Sequence, residues 1–342
     1  MEKDEITADV AAGLVAAQFP QWAALPVTPV AVNGQDNTTF RLGDELSIRL
    51  PAASCVAQVA KEHRWLPVLA RQLPLPVPEP VAMGRPGDGF PRPWSVYRWI
   101  AGQTASTGQV ADLTGFAAAL AGFLVALQAI DTSDGPSAGA HNFFRGGPLA
   151  SWDEQVRQLI GLAADDIDAR AATSVWDTAV ASPREQAPVW VHGDLAASNV
   201  LVADGAVRAV IDFGGVAIGD PAYDLVMAWE FFAGDSAAAF RRGLHLDEAT
   251  WDRGRGWALC KALVSLGQER EGGNNAPAPV VDDPFGWRHS PRQVIGRVIA
   301  DHVRSAGRGA QHRHSATSPA RLGRRGGGEG VPAAAPSWEE PE

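Results

Sequence analysis

The sequence predicts an α+β fold in two lobes: a small antiparallel-sheet N-terminal lobe and a mostly helical C-terminal lobe. Three observations carry this. Strand-like runs joined by tight turns, with one prominent helix among them, fill roughly the first hundred residues. Apolar helical stretches dominate afterwards. At 342 residues the chain also exceeds the size at which a single core usually keeps growing. The expected divisions are 1–98, 99–303 and a disordered tail over 304–342.

Taken in order, residues 6–19 read as an amphipathic helix that Pro20 closes. Residues 38–42 and 46–50 read as a strand pair joined by Gly43-Asp44-Glu45. A helix is expected over 56–71, then an extended Pro-rich connection over 73–80 and a strand over 94–100. Helices follow over 110–129, 152–180, 221–232, 236–243, 248–266 and 291–303. Asp112 or Thr114 can cap the first of these, and Ser151 the second. Asp220 precedes Pro221 as an N-cap before a proline at the first helical position. The final segment is rich in Gly, Pro, Ala and Arg with no apolar period, a composition that cannot offset its chain entropy.

Composition narrows the classes of function. Hydrophobic content of 46% and charged content of 20% describe a soluble globular chain. The apolar run over 116–127 is too short to span a bilayer, and the acidic opening lacks the basic start of a signal peptide. Cys55 and Cys260 are the only cysteines and lack metal-ligand spacing, so a cytoplasmic location is expected. A net charge of −10 argues against a general nucleic-acid binder and suits a cationic small molecule. The oligomeric state is not legible.

The most informative stretch runs from Val191 to Gly214. Val189-Trp190-Val191 reads as a buried strand that ends in His192-Gly193-Asp194-Leu195-Ala196-Ala197-Ser198-Asn199. Val200-Leu201-Val202, the turn Asp204-Gly205 and the run 207–211 then form a hairpin leading to Asp212-Phe213-Gly214. A hairpin returns Asp212 to the side from which Asn199 entered, so Asp194, Asn199 and Asp212 converge. Phosphoryl transfer needs this set. A γ-phosphate leaving ATP concentrates negative charge, Mg²⁺ must be held against it, and the attacking hydroxyl must lose a proton. Asp194 is the candidate base, and Asn199 and Asp212 supply the hard oxygen ligands Mg²⁺ prefers.

The Asp194-to-Asn199 spacing and the Asp-Phe-Gly match kinase catalytic-loop and metal-loop signatures, with Gly193 where protein kinases usually carry Arg. His192-Gly193-Asp194-Leu195, Ile211-Asp212-Phe213-Gly214 and the run from Gly219 through Asp220 and Asp224 to Leu225 resemble the aminoglycoside phosphotransferase family. This is a branch of the kinase-like fold that also holds choline and homoserine kinases, and the resemblance covers about 32–302.

The resemblance implies a protein-kinase-like two-lobe fold and a Mg²⁺-dependent enzyme that moves the γ-phosphoryl group of ATP or GTP to a hydroxyl of an aminoglycoside-like molecule. Antibiotic resistance would be the outcome. It implies that Arg49 on a strand and Glu62 on the next helix stand for the Lys and Glu that hold the α- and β-phosphates, although Arg has a different geometry. A surface Arg beside a solvated Glu is the plainer reading. Asn37 and Thr38 would belong to the loop over the nucleotide, and Arg98, Trp99 and Ile100 to the hinge at the adenine edge. His192, Asp220 and Asp224 would support the site, Asp224 bracing the catalytic loop or else lining the substrate side. Glu230, Asp235, Glu269 and Glu271 are the acids expected to meet a cationic substrate. Choline, homoserine and macrolide acceptors share the same motifs. A nucleotide-binding protein without catalysis is disfavoured, because base, Asn and metal Asp are all present.

Overall fold

The five-stranded antiparallel sheet of the N-terminal region is built by β1 (Val27–Pro29), β2 (Asn37–Leu42), β3 (Leu46–Pro51), β4 (Pro80–Gly84) and β5 (Trp94–Arg98), in the order β1-β2-β3-β5-β4. The computed structural model describes residues 5–31, 33, 36–87, 89–271 and 288–316. Helix α1 (Ala8–Gln18) precedes the sheet and gives way to a 3-10 turn at Pro20–Trp22, since Pro20 has no amide to continue the ladder. Leu14, Phe40, Leu42, Ile48, Leu50, Phe90, Trp94 and Val96 close one core between α1 and the sheet. Strand β2 alternates strictly, with Thr38, Phe40 and Leu42 buried and the residues between them partly exposed.

Helix α2 (Val56–Leu69) packs Trp65, Leu66 and Leu69 into the second, larger core, where Trp65 meets Trp190 at 5.0 Å. A short β6 (Gln103–Thr104) and α3 (Leu113–Gln128) follow, and Asp112 caps α3 by accepting from the amides of Thr114 and Gly115. The single helix expected over 152–180 is two: α4 (Asp153–Leu162) and α5 (Ala169–Ala181). Asp168 accepts from Ala171 N at 2.9 Å and starts α5 afresh, a local side-chain bond that competes with helix continuation. Ser151 does not cap α4; it lies inside a 3-10 turn, Leu149–Trp152.

Strands β7 (Val189–Val191) and β10 (Ala217–Gly219) pair antiparallel, while β8 (Val200–Ala203) and β9 (Ala206–Val210) form the expected hairpin beside β6. Its turn residues Asp204 and Gly205 both have positive φ (52° and 77°), the geometry that matches strand twist in a two-residue hairpin. Pro221–Leu225 is a 3-10 turn rather than α-helix and leads into α6 (Met227–Glu230). Helices α7 (Gly234–Leu244), α8 (Glu248–Glu271) and α9 (Pro291–Ala316) complete the region. Residues up to His302 form one packed unit. The helix itself continues from Val303 to Ala316, beyond its expected end, so residues 304–316 are helical where a tail was expected. The rest of that tail lies outside the described residues. None of the described helices is long and apolar enough to cross a membrane.

Candidate active site

The segment after β7 turns sharply because Gly193 adopts φ 76°, and a Cβ there would stand 2.2 Å from the Gly215 carbonyl oxygen. The two loops therefore touch backbone to backbone. This accounts for glycine at a position where protein kinases carry a side chain. Asp224, buried on the 3-10 turn, accepts from His192 N at 2.6 Å and from Gly193 N at 2.9 Å. Of the two readings left open for Asp224, the geometry matches the brace. Burial pushes its carboxyl above the usual range, against the two amides that favour the charged form.

His192 is fully buried, and its ring joins the same two loops. Asp194 N donates to Nδ1 at 3.2 Å, so Nε2 carries the proton and donates to the Ile211 carbonyl at 3.0 Å. The ring lies edge-on to Phe213, with centroids 4.7 Å apart. Asn199 Nδ2 donates to the Asp194 carbonyl at 2.8 Å and to Asp194 Oδ2 at 3.3 Å, which leaves its own oxygen as the acceptor. Ile211 N donates to the Asn199 carbonyl at 2.8 Å, closing the hairpin and setting Asp212 beside Asn199. The convergence expected from the sequence is present.

Asp212 has φ 65°, in the left-handed region, and its Oδ1 accepts from Arg49 Nη2 at 2.8 Å. Arg49 Nη1 lies 3.4 Å from Glu62 Oε1, and the Tyr97 hydroxyl donates to Glu62 Oε2. Arg49 thus lines the cleft with Glu62 buried behind it, and the two are a pair, not a surface cation and a solvated acid. Burial alone would raise the Asp212 carboxyl, but the Arg49 charge outweighs it and holds the group below the usual range. Asp212 Oδ2 and the Asn199 oxygen form a pair of hard oxygen donors. That set fits Mg²⁺, which binds through one or two protein oxygens and fills its remaining positions with phosphate and water.

A cleft of about 1140 Å³ runs over these groups, lined by strands β2, β3 and β5 and by the helical region. Asn37 lines it, but Thr38 does not. Thr38 faces the core, and Thr39, paired across the ladder with Arg49, takes the cleft face, because strand side chains alternate. Arg98, Trp99 and Ile100 all line the cleft. Arg98 pairs with Glu45 at 3.6 Å and with Glu79 at 4.0 Å, and Arg41 stacks over the Trp99 ring at 4.4 Å.

The expected substrate acids are not gathered there. Glu230 is buried and paired with Lys261 at 3.3 Å, Asp235 and Glu269 are exposed away from the cleft lining, and the side chain of Glu271 lies outside the described residues. Asp220 does not line the cleft either. It caps the 3-10 turn through Ala222 N and holds Arg253 Nε at 2.6 Å, a buried structural pair.

Sequence reasoning missed several groups that the fold delivers. Asp36 borders the cleft with its carboxyl raised by burial and by nearby Asp212. Arg145, from the loop between α3 and α4, sits 3.2 Å from Asp194 Oδ1. Trp152, Tyr223 and Trp257 form an aromatic wall, with Tyr223 to Trp257 at 4.9 Å and Trp152 to Trp257 at 6.2 Å, edge to face. No local pattern marks these residues. Each is brought in by a separate element.

Comparisons with known proteins bear on the family and the fold. A family model described as the phosphotransferase enzyme family matches residues 27–257. No curated protein sequence matches the chain. Among solved structures, the GDP and kanamycin complex of APH(2")-IIia is similar at 21% identity and TM-score 0.63, over 77% of this chain and 92% of that one. The streptomycin-ATP-APH(2")-IIa ternary complex is similar at 17% identity and TM-score 0.53, over 78% and 93%. Macrolide 2'-phosphotransferase MphH from Brachybacterium faecium is similar at 20% identity and TM-score 0.53, over 78% and 94%. Identities this low speak to the fold alone. The family model, which spans more than half of the chain and includes the segments 192–199 and 211–214, carries the assignment: this chain belongs to the phosphotransferase enzyme family.

Proposed function

We propose that the protein transfers the γ-phosphoryl group of ATP or GTP to a hydroxyl of a small molecule held against the Trp152-Tyr223-Trp257 wall. The observation that carries this reading is the convergence of Asp194, Asn199 and Asp212 on one cleft, with the Arg49–Glu62 pair beside them. Mg²⁺, when bound, neutralises charge on the β- and γ-phosphates. Asn199 and Asp212 would hold it. Asp194 accepts the acceptor's proton as the new phosphorus–oxygen bond forms and the bond to the nucleoside diphosphate breaks. The His192 ring and the Asp224 brace fix the loop that carries this base. Arg49, held by Glu62 and Asp212, sets its charge beside the nucleotide phosphates, and residues 97–100 meet its base.

An aminoglycoside acceptor, with resistance as the outcome, is the first reading, supported by two aminoglycoside phosphotransferases among the similar structures. A second reading is an amphipathic acceptor of the macrolide kind, favoured by the aromatic wall and by the lack of an unpaired acid on it among the described residues.

The deciding experiment is release of ADP or GDP by purified protein with Mg²⁺, across aminoglycosides, macrolides, choline and homoserine, with Asp194→Asn as control. Stimulation by one acceptor class that vanishes in the variant supports the reading. Stimulation that survives in Asp194→Asn removes Asp194 as base, and tight nucleotide binding with no stimulation by any class counts against these acceptors.

A further inference from the structure

We propose that Arg145 is a catalytic residue of the transfer step, supplying charge to the phosphoryl group in transit; the proposal rests on the phosphotransferase reading above. Its guanidinium lines the cleft beside the candidate base, with Nη1 3.2 Å from Asp194 Oδ1 and 3.2 Å from the Gly193 carbonyl. Both contacts use one nitrogen. Nη2 and Nε make no hydrogen bond among the described residues, so much of the planar fork is uncommitted.

Arg49 differs in this respect. Its two terminal nitrogens are committed to two carboxylates, Glu62 and Asp212. When a triphosphate enters a site that already carries Asp36, Asp194 and Asp212, the added negative charge needs a cation that can turn to it. Arg145 is such a cation, and it adjoins the oxygen that takes the acceptor's proton.

The backbone of Arg145 is also fixed to the metal loop. Asn142, fully buried, donates through Nδ2 to the Arg145 carbonyl at 2.8 Å and to the Gly215 carbonyl at 3.1 Å, and its oxygen accepts from Gly139 N at 2.9 Å. One buried amide therefore links the Arg145 loop to the segment that begins at Asp212. The loop holds Phe143 and Phe144 in the left-handed region, a conformation that non-glycine residues rarely adopt and that must be imposed by its surroundings.

During transfer, the bond from the γ-phosphorus to the leaving diphosphate oxygen breaks as a bond to the acceptor oxygen forms, the acceptor proton passes to Asp194, and charge spreads over the three equatorial oxygens. Arg145 exchanges its single-nitrogen contact with Asp194 for those oxygens. A fork of donors matches them better in the transition state than in the ground state, so its effect falls on turnover.

The test needs no acceptor. Binding of Mg·ADP and Mg·GDP to the full chain is measured by calorimetry with and without fluoroaluminate, a mimic of the phosphoryl group in transit. Wild type should bind the diphosphate more tightly with fluoroaluminate. Arg145→Gln should reduce that tightening by about 10²-fold while leaving the affinity for Mg·diphosphate alone unchanged. Arg145→Lys, which keeps the charge and loses the fork, should fall between the two. Thermal melts of both variants confirm folding.

Full tightening in Arg145→Gln would show that the residue only orients Asp194, overturning the proposal while the phosphotransferase reading stands. Diphosphate binding by wild type with no tightening overturns it equally. If wild type binds no Mg·nucleotide at all, the functional reading itself falls and takes this proposal with it.

Discussion

The two sides of the cleft are built in opposite ways. On one side, His192, Asp194, Asn199 and Asp212 come from a single run of 21 residues, held by backbone bonds between the catalytic loop and the β8–β9 hairpin. On the other, Trp152, Tyr223 and Trp257 come from two separate 3-10 turns and a helix and meet through ring packing. Reacting groups must hold their mutual geometry closely, which short-range hydrogen bonds can enforce. A binding wall tolerates looser construction, because apolar contact is not directional.

Substitutions sharpen this contrast. The largest effect is expected at the reacting carboxylate: Asp194→Asn should lower turnover by roughly 10²–10⁴ with nucleotide affinity and folding retained, measured by steady-state kinetics and calorimetry. Unchanged turnover would transfer the base role elsewhere. Next, Gly193→Ala forces a Cβ onto the Gly215 carbonyl at positive φ and should cost about 2–5 kcal/mol in urea unfolding. A stability within experimental error of wild type would mean the two loops are not rigidly apposed.

Asp212→Asn should weaken Mg²⁺-dependent nucleotide binding, because an anionic ligand becomes neutral. It also has a pH signature. Arg49 holds the folded-state carboxyl below its unfolded value, so the stability it contributes is present above pH 3.8 and is lost as pH falls through the lower folded value. The gap between wild type and variant should therefore be widest near neutrality and close in acid, as read by thermal melts. A gap that widens in acid would reverse the assigned shift.

On the wall, Trp257→Ala should raise the acceptor KM by about tenfold with kcat nearly kept, since one aromatic contact is lost and no reacting group moves. An equal fall in kcat would join the wall to the reacting side. The smallest effect belongs to Asp235→Asn and Glu269→Gln, which are exposed and away from the cleft lining and should leave acceptor KM unchanged. A clear rise in KM for a cationic acceptor would restore the acidic substrate face.

Most of the reacting side was legible because its signals are local. The hairpin turn Asp204-Gly205 has a two-residue signature, and the hairpin's length decides where Asp212 arrives. The Asp112 and Asp220 caps were readable for the same reason. Errors arose where two neighbours compete for one role or where a side chain breaks a periodic run. Thr38 and Thr39 are chemically alike, and only ladder register decides which faces the cleft. The expected helix over 152–180 carries a continuous pattern, yet Asp168 restarts it.

By itself, the sequence determined the α+β division and the hairpin-borne set of Asp194, Asn199 and Asp212, because each depends on contacts close in the chain or on strand and helix order, whereas the pairing of Arg49 with Glu62 was only implied by the family resemblance. Only the tertiary structure decided that Arg145 stands beside Asp194, that an aromatic wall faces the site, and that Glu230 is buried against Lys261 instead of facing an acceptor. Those relations join residues separated by 31 to 105 positions. Nothing in local propensity fixes which of many apolar and charged side chains will meet across such separations; close packing of the core does.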